Sequence, residues 1–186
     1  MSFSPRFTEA LTFAATLHAE QRRKLSGAPY VAHLLAVTAT VLEHGADEDT
    51  AIAALLHDAI EDQGGPAARA EILRRFGPSV TAIVDGCTDA DTQPKPPWRE
   101  RKEAYVVRLR SAPPSVRLIS AADKLHNARS ILAAHRAHGE SLWQHFRGGR
   151  AGTLWYYRAV LDALKSFGPT PLVEELDRTL AELERL

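Results

Sequence analysis

Apolar positions in this chain recur every three or four residues almost from end to end. No stretch alternates with the period of two that marks a half-buried strand. Ser4-Pro5 can cap a first helix, which the spacing carries to about Leu25 with Phe7, Leu11, Ala14, Ala15 and His18 on one face. The basic stretch Arg22-Arg23-Lys24-Leu25-Ser26-Gly27-Ala28-Pro29 breaks it. A second helix starts at Pro29 or Tyr30 and stops at His44-Gly45. Asp47 or Asp49 can cap a third, alanine-rich helix that runs into His57-Asp58 and ends at Gly64-Gly65-Pro66. Two short helices, 67–76 and 78–88, meet at Gly77-Pro78. A helix over 98–110 is stopped by Ala112-Pro113-Pro114, and Ser115 caps a long one that reaches His135 or His138. Val116, Ile119, Ala122 and Leu125 form its buried face. Two more helices cover 152–167 and 171–186. The segment 89–97, with Thr92-Gln93-Pro94-Lys95-Pro96-Pro97, reads as a mobile loop too short to link domains. The pattern predicts an all-α fold in a single domain, a bundle of about eight to ten helices.

At 186 residues and 45% apolar content, the chain is long enough for one domain with a sizeable core. Lys and Arg balance Asp and Glu at 23 each, so nothing in the net charge argues for binding nucleic acid or an anionic membrane. A local basic pocket stays open. Cys87 is the one cysteine, which rules out an intramolecular disulfide and suits a reducing compartment. Its setting, Ile83-Val84-Asp85-Gly86-Cys87-Thr88, reads as a packed helix end with an inert thiol. No apolar run reaches the length of a membrane span, and Met1-Ser2-Phe3-Ser4-Pro5-Arg6 lacks the apolar core of a signal peptide. A cytoplasmic protein without membrane or nucleic-acid partners is expected, with a homodimer left open.

Chemistry enters where polar residues interrupt apolar helices. Leu55-Leu56-His57-Asp58-Ala59-Ile60-Glu61-Asp62 sets an imidazole and a carboxylate directly after leucines, with two more carboxylates within a turn. Burying such groups is costly unless something pairs with them, and a metal ion does so most economically. His33 follows Tyr30-Val31-Ala32 and precedes Leu34-Leu35-Ala36-Val37. Asp123 and Asn127 lie four apart in Ala122-Asp123-Lys124-Leu125-His126-Asn127, as His57 and Glu61 do in their helix. Adjacent His57 and Asp58 leave a helix about 100° apart, which suits two ligands only near a helix end. Two imidazoles and two carboxylates suit Mn²⁺, Fe²⁺, Co²⁺ or Zn²⁺, and the absence of thiolates argues against a structural zinc site. Each residue also has a plain alternative. A histidine on an apolar face is often only hydrogen-bonded, Asp123 could pair with Lys124 or Arg129, and Asp58 could cap the turn after it.

The order His, His-Asp, Asp is the metal signature of the HD phosphohydrolase superfamily. Four stretches of the chain resemble the hydrolase domain of the Rel/Spo alarmone enzymes and the small stand-alone, Mesh-like alarmone hydrolases. They are Tyr30-Val31-Ala32-His33, the run from Ala54 to Asp62, Phe76-Gly77-Pro78-Ser79-Val80, and the run from Ala122 to Arg129. The similarity covers about 5–165 of 1–186, in order, with a helical extension after it. It implies an HD-type bundle in which His33, His57, Asp58 and Asp123 hold one Mn²⁺. It implies that Glu61 and Asp62 position and activate the attacking water, and that Asn127 stands beside the reacting phosphate. Arg23 and Lys24 would meet the nucleotide, where the plain alternative for this basic run is a solvated helix end. Lys124, Arg129, Arg147 and Arg150 are candidates for phosphate contact, and Tyr156, within Trp155-Tyr156-Tyr157, for a nucleotide-facing aromatic. His18, His44, His126, His135, His138 and His145 read as structural or surface residues. The implied reaction is hydrolysis of the 3′-pyrophosphate of guanosine tetra- and pentaphosphate. The same site on an adenosine alarmone or on the phosphate of a dinucleotide cofactor is a second reading, and a non-catalytic nucleotide sensor a third.

Overall fold

The computed structural model describes residues 3–90 and 94–186. Among these residues there are nine α-helices, one 3₁₀ helix and no strand. The centre of the 89–97 loop and the first two residues, on which the leader reading partly rests, lie outside the described residues.

Helix α1 (Pro5–Leu17) starts as expected, with the Ser4 hydroxyl accepting from the Arg6 amide and Pro5 in the first turn. It stops eight residues short of Leu25. Ala10, Ala14 and then His18 form its buried line, while Ala15 faces outward. The next positions on that line are Gln21 and Arg22, so continuing the helix would bury nothing apolar. The chain turns instead. Arg22 and Pro29 form an isolated bridge, and the Arg23 amide donates to the Ala28 carbonyl at 2.8 Å. Gly27 makes the reversal at φ +69°, a conformation that L side chains rarely adopt.

Helix α2 (Val31–Glu43) buries His33, Leu34, Val37, Thr38 and Val41. Helix α3 (Glu48–Leu56) is capped by Asp47, whose side chain accepts from the Thr50 amide at 2.8 Å. Every residue of α3 from Thr50 to Leu56 is buried, because α1, α2, α5 and α7 surround it. It ends at Leu56, and a single turn, α4 (Ala59–Asp62), restarts the helix on a new axis. Helix α5 (Pro66–Cys87) is broken at Gly77 (φ 85°, ψ 178°), so the two expected short helices are present end to end. Helices α6 (Trp98–Leu109) and α7 (Pro114–His138) match their expected spans. Helix α7 has no side-chain cap, and Pro114 rather than Ser115 opens it. A 3₁₀ stretch (Gly139–His145) leads to α8 (Gly149–Lys165), which begins three residues before its expected start, and to α9 (Pro171–Glu184). Helix α9 packs on α7 and α8. The long α7 therefore spans the bundle, with α2 and α3 near its middle. No helix is long and apolar enough to cross a membrane among the described residues.

Candidate metal centre

Three segments deliver four side chains to one point. His33 comes from the first turns of α2, His57 and Asp58 from the break between α3 and α4, and Asp123 from the middle of α7. The break resolves the problem of adjacent ligands. Asp58 sits at φ −100°, ψ −1°, outside either helix, which lets its carboxylate swing to 3.1 Å from His57 Nε2. His33 Nε2 lies 3.5 Å from Asp58 Oδ2 and 3.3 Å from Asp123 Oδ1. Asp123 Oδ1 is also 3.9 Å from His57 Nε2.

Neither Nε2 atom makes a hydrogen bond, although both are buried. The other ring nitrogens are engaged. His57 Nδ1 donates to the Ala54 carbonyl at 2.8 Å, which leaves Nε2 facing the carboxylates. His33 Nδ1 lies 2.8 Å from His126 Nδ1. Burial, with help from His33 and Arg23, lowers His126 to about 4, so its ring is neutral and can accept the His33 proton. Both imidazoles are thereby held in the orientation that points Nε2 at the carboxylates. The carboxylates are held too. The Tyr30 hydroxyl donates to Asp58 Oδ2 at 2.7 Å, Lys124 pairs with Asp123 Oδ2, and the Asn127 amide donates to Asp123 Oδ1.

The electrostatics ask for a cation here. Burial pushes His57 down, yet Asp58 and Asp123 more than reverse it and lift the ring to about 9. Asp58 and Asp123 fall well below the usual carboxylate range despite their own burial, Asp58 through the two imidazoles and Asp123 through Lys124 first and then His33. Two ionised carboxylates draw a proton to His57 this strongly, and a divalent ion taking that proton's place would find both Nε2 atoms and both carboxylates, a donor set of the mixed N/O kind. His33, His57 and Asp58 meet the spacing of a metal-binding group.

Glu61 and Asp62, on α4, face different neighbours. Glu61 Oε1 is 3.2 Å from Lys95 Nζ and 3.7 Å from Arg101 Nη1. Arg101 and Lys102 both pair with the buried Asp89. Burial and the Asp89 charge raise the Glu61 carboxyl above its ordinary value, against Lys102 and Lys95. Asp62 Oδ2 instead accepts from Gln21 Nε2 at 2.8 Å. Its carboxyl is raised by burial and by Asp58. A cavity of about 40 Å³, room for a few water molecules, opens onto His57, Asp58, Glu61, Cys87, Lys124 and Tyr156.

The remaining candidates divide. Arg23 Nη2 donates to Asn127 Oδ1 at 2.7 Å, so Asn127 bridges Arg23 to Asp123. Lys124 is half-buried against Asp123, between the rings of Tyr105 and Tyr156. Tyr156 lines the cavity, whereas Trp155 is half-buried under Arg99 and Tyr157 packs in the core. Lys24 is exposed on the turn. Arg129 is engaged by Glu175 of α9. Cys87 is held protonated by burial, as an inert thiol should be. Sequence reasoning missed Lys95, Arg101, Lys102, Asp89 and the Tyr30 hydroxyl. It also read His126 as a bystander, although His126 lies one turn from Asp123, on the same helix face, and stands behind His33.

Comparison with known proteins agrees with this geometry. The HD domain family matches residues 10–154. The human guanosine-3′,5′-bis(diphosphate) 3′-pyrophosphohydrolase MESH1 is 35% identical over 133 residues, 70% of this chain and 72% of that protein. The bifunctional (p)ppGpp synthase/hydrolase SpoT of Escherichia coli is 36% identical over 132 residues, 68% of this chain and 18% of that protein. A GTP pyrophosphokinase of Streptomyces coelicolor is 40% identical, but the chain spans 14% of its length. The solved structure of a metazoan SpoT ortholog that hydrolyses ppGpp superposes with a TM-score of 0.82 at 29% identity, covering 100% of this chain and 99% of that one. The chain belongs to the HD-domain family, within the branch that holds the SpoT and MESH1 pyrophosphohydrolases.

Proposed function

We propose that this chain hydrolyses the 3′-pyrophosphate of guanosine tetra- and pentaphosphate, with Mn²⁺ held by His33, His57, Asp58 and Asp123. The observation that carries the reading is the pair of buried, unpartnered Nε2 atoms facing Asp58 and Asp123, with two further carboxylates, Glu61 and Asp62, one turn away. The similarity to MESH1 and SpoT supports the substrate. When bound, a divalent ion acidifies its water and offsets charge on the phosphoryl oxygens.

The protein's own groups do the rest. Water attacks phosphorus and the ribose 3′-oxygen departs. Glu61 accepts the proton from the attacking water, and its raised affinity for a proton suits that task. Asp62 orients the same water from the other side of α4. Asn127 stands by the reacting phosphate, held by Arg23. Arg23 and Lys24 take the base and outer phosphates, and Lys124 and Tyr156 line the inner end of the pocket. Holding the polyanion in line with the water supplies much of the rate, because the phosphoryl group needs little covalent help.

The test is pyrophosphate release from guanosine tetraphosphate by the purified protein, with Mn²⁺, Mg²⁺, Zn²⁺ or Co²⁺ added to chelator-treated samples. Fastest turnover with Mn²⁺ and loss of activity under chelation are expected. Rapid cleavage of another nucleotide, with none of the tetraphosphate, would remove the substrate assignment.

A further inference from the structure

The turn between α1 and α2 holds two side chains that the reaction above does not use. His18 is 2% exposed, although an apolar residue could fill its space without desolvating a ring. Its Nδ1 lies 2.6 Å from Gln21 Oε1. The same oxygen accepts from Gln63 Nε2 at 2.6 Å. On its other side Gln21 donates through Nε2 to Asp62 Oδ2 at 2.8 Å.

These contacts leave one consistent arrangement. An ionised carboxylate only accepts, so the Gln21 amide must present nitrogen to Asp62. Oε1 then faces inward, and both groups that reach it must donate. Gln63 does so through its amide, and His18 through Nδ1–H. Turning the Gln21 amide over would set its nitrogen against two donors and its oxygen against a carboxylate. Three residues thus fix one side-chain amide, and that amide fixes Asp62 Oδ2. Asp62 Oδ1 takes no hydrogen bond, and Asp62 has no ion-pair partner, among the described residues.

The frame is also tied to the metal-facing side. The Gln21 carbonyl accepts from the Tyr30 amide at 3.0 Å. The Tyr30 ring stacks on His18 with centroids 5.3 Å apart and planes 14° apart, and its hydroxyl holds Asp58. One rigid turn therefore sets the direction of Asp58 and of Asp62 together. Glu61 is steadied by the charges of Lys95 and Arg101, but Asp62 is steadied by neutral amides, which orient it without cancelling its charge.

We propose that His18 and Gln21 are positioning residues for Asp62, acting through the chain His18 Nδ1–H, Gln21 Oε1, Gln21 Nε2 and Asp62 Oδ2. The role given to Asp62 rests on the hydrolase reading. The contact itself does not.

The experiment compares Gln21→Leu, Asp62→Asn and the double variant for turnover of guanosine tetraphosphate with Mn²⁺, for bound metal and for the unfolding midpoint. Gln21→Leu lowers kcat by about tenfold to a hundredfold, with KM and metal content unchanged, since supporting groups behind a site carry effects of that size. In the Asp62→Asn background it lowers kcat no further, and the midpoint shifts of the two changes are non-additive. His18→Leu lowers kcat in the same way. His18→Asn, which can present an amide N–H where Nδ1–H was, recovers most of it. This pair probes the same chain from its far end should Gln21→Leu fail to fold. Full kcat in Gln21→Leu, or an equal loss on top of Asp62→Asn, overturns the positioning role. Additive midpoints overturn the contact. If the wild type releases no pyrophosphate while the midpoints are non-additive, the hydrolase reading fails and the hydrogen-bonded frame stands.

Discussion

His33, His57, Asp58 and Asp123 reach the centre from helices, or the break between two, whose places are set by packing, whereas Arg23, Lys95 and Arg101 reach it from a turn, from the segment before α6 and from the start of α6. The first group forms a floor. Its imidazoles are 1% and 4% exposed, and each has its second nitrogen fixed by a neighbour. Helix α3 behind them is buried from Thr50 to Leu56, so the floor can move only if the core moves. The second group forms a rim of long cations paired with Glu61, Asp89 and Asn127. Arg23 and Lys95, which are only half-buried, are freer to change partners than the buried Arg101–Asp89 pair or the floor. On the proposed reaction, the contrast separates what would hold the ion from what would receive the polyanion.

The largest effect should come from the floor. Asp58→Ala removes an oxygen within 3.1–3.5 Å of both imidazoles. Turnover should fall by roughly a thousandfold or more, because several kcal/mol of charge stabilisation go with the ion. Bound metal measured in the same samples should fall with it, and a variant that retains both would break the distinction between floor and rim. Next comes Arg101→Met, at the one rim cation that is itself buried. It strands the Asp89 carboxylate, whose side chain is 3% exposed. Unfolding in denaturant should show a loss of about 3 kcal/mol, as expected when one partner of a buried pair is removed. A loss below 1 kcal/mol would mean that Lys102 alone satisfies Asp89. Smaller again is Tyr30→Phe, which keeps the ring on His18 and removes the hydroxyl from Asp58. Mn²⁺ affinity, measured by titration calorimetry, should weaken about tenfold with little change in the unfolding midpoint. An unchanged affinity would place Tyr30 with the rim rather than the floor.

The floor was legible in the sequence because its cost shows there. A histidine or aspartate among leucines and alanines breaks the apolar period, and four such breaks in one order resemble the HD pattern; the fold brings those four side chains together. Helix positions were legible for the same reason, and Gly77-Pro78 announced the break inside α5. The rim carries no such mark. Gln21 meets Asp62 across 41 positions, Lys95 meets Glu61 across 34, and Arg23 meets Asn127 across 104. Polar residues on solvent-facing segments have no period, so nothing in their spacing shows which will meet. The overextended first helix is the same failure. Glu20, Gln21, Arg22, Arg23 and Lys24 all favour helix on their own, but continuing it would bury nothing apolar, and in the turn Gln21 and Arg23 meet Asp62 and Asn127 instead.

The smallest expected effect tests whether the floor depends on its far end. Asp47 caps α3 ten residues before His57 ends it, and its carboxylate accepts from the Thr50 amide. Asp47→Ala should cost about 1 kcal/mol of stability at neutral pH, the usual loss for a helix cap. That hydrogen bond holds the Asp47 carboxyl below its ordinary value. A depressed value in the folded state means that the contribution is present above the usual carboxylate range and fades as pH falls through the folded value. The gap between variant and wild type should therefore narrow in acid, followed by thermal unfolding at a series of pH values. Mn²⁺ affinity at neutral pH should stay unchanged, because α3 is clamped by four neighbouring helices rather than by its cap. A weakened affinity would show that the geometry of the His57–Asp58 break is transmitted along α3, and the floor would then be less independent of the surface than its burial implies.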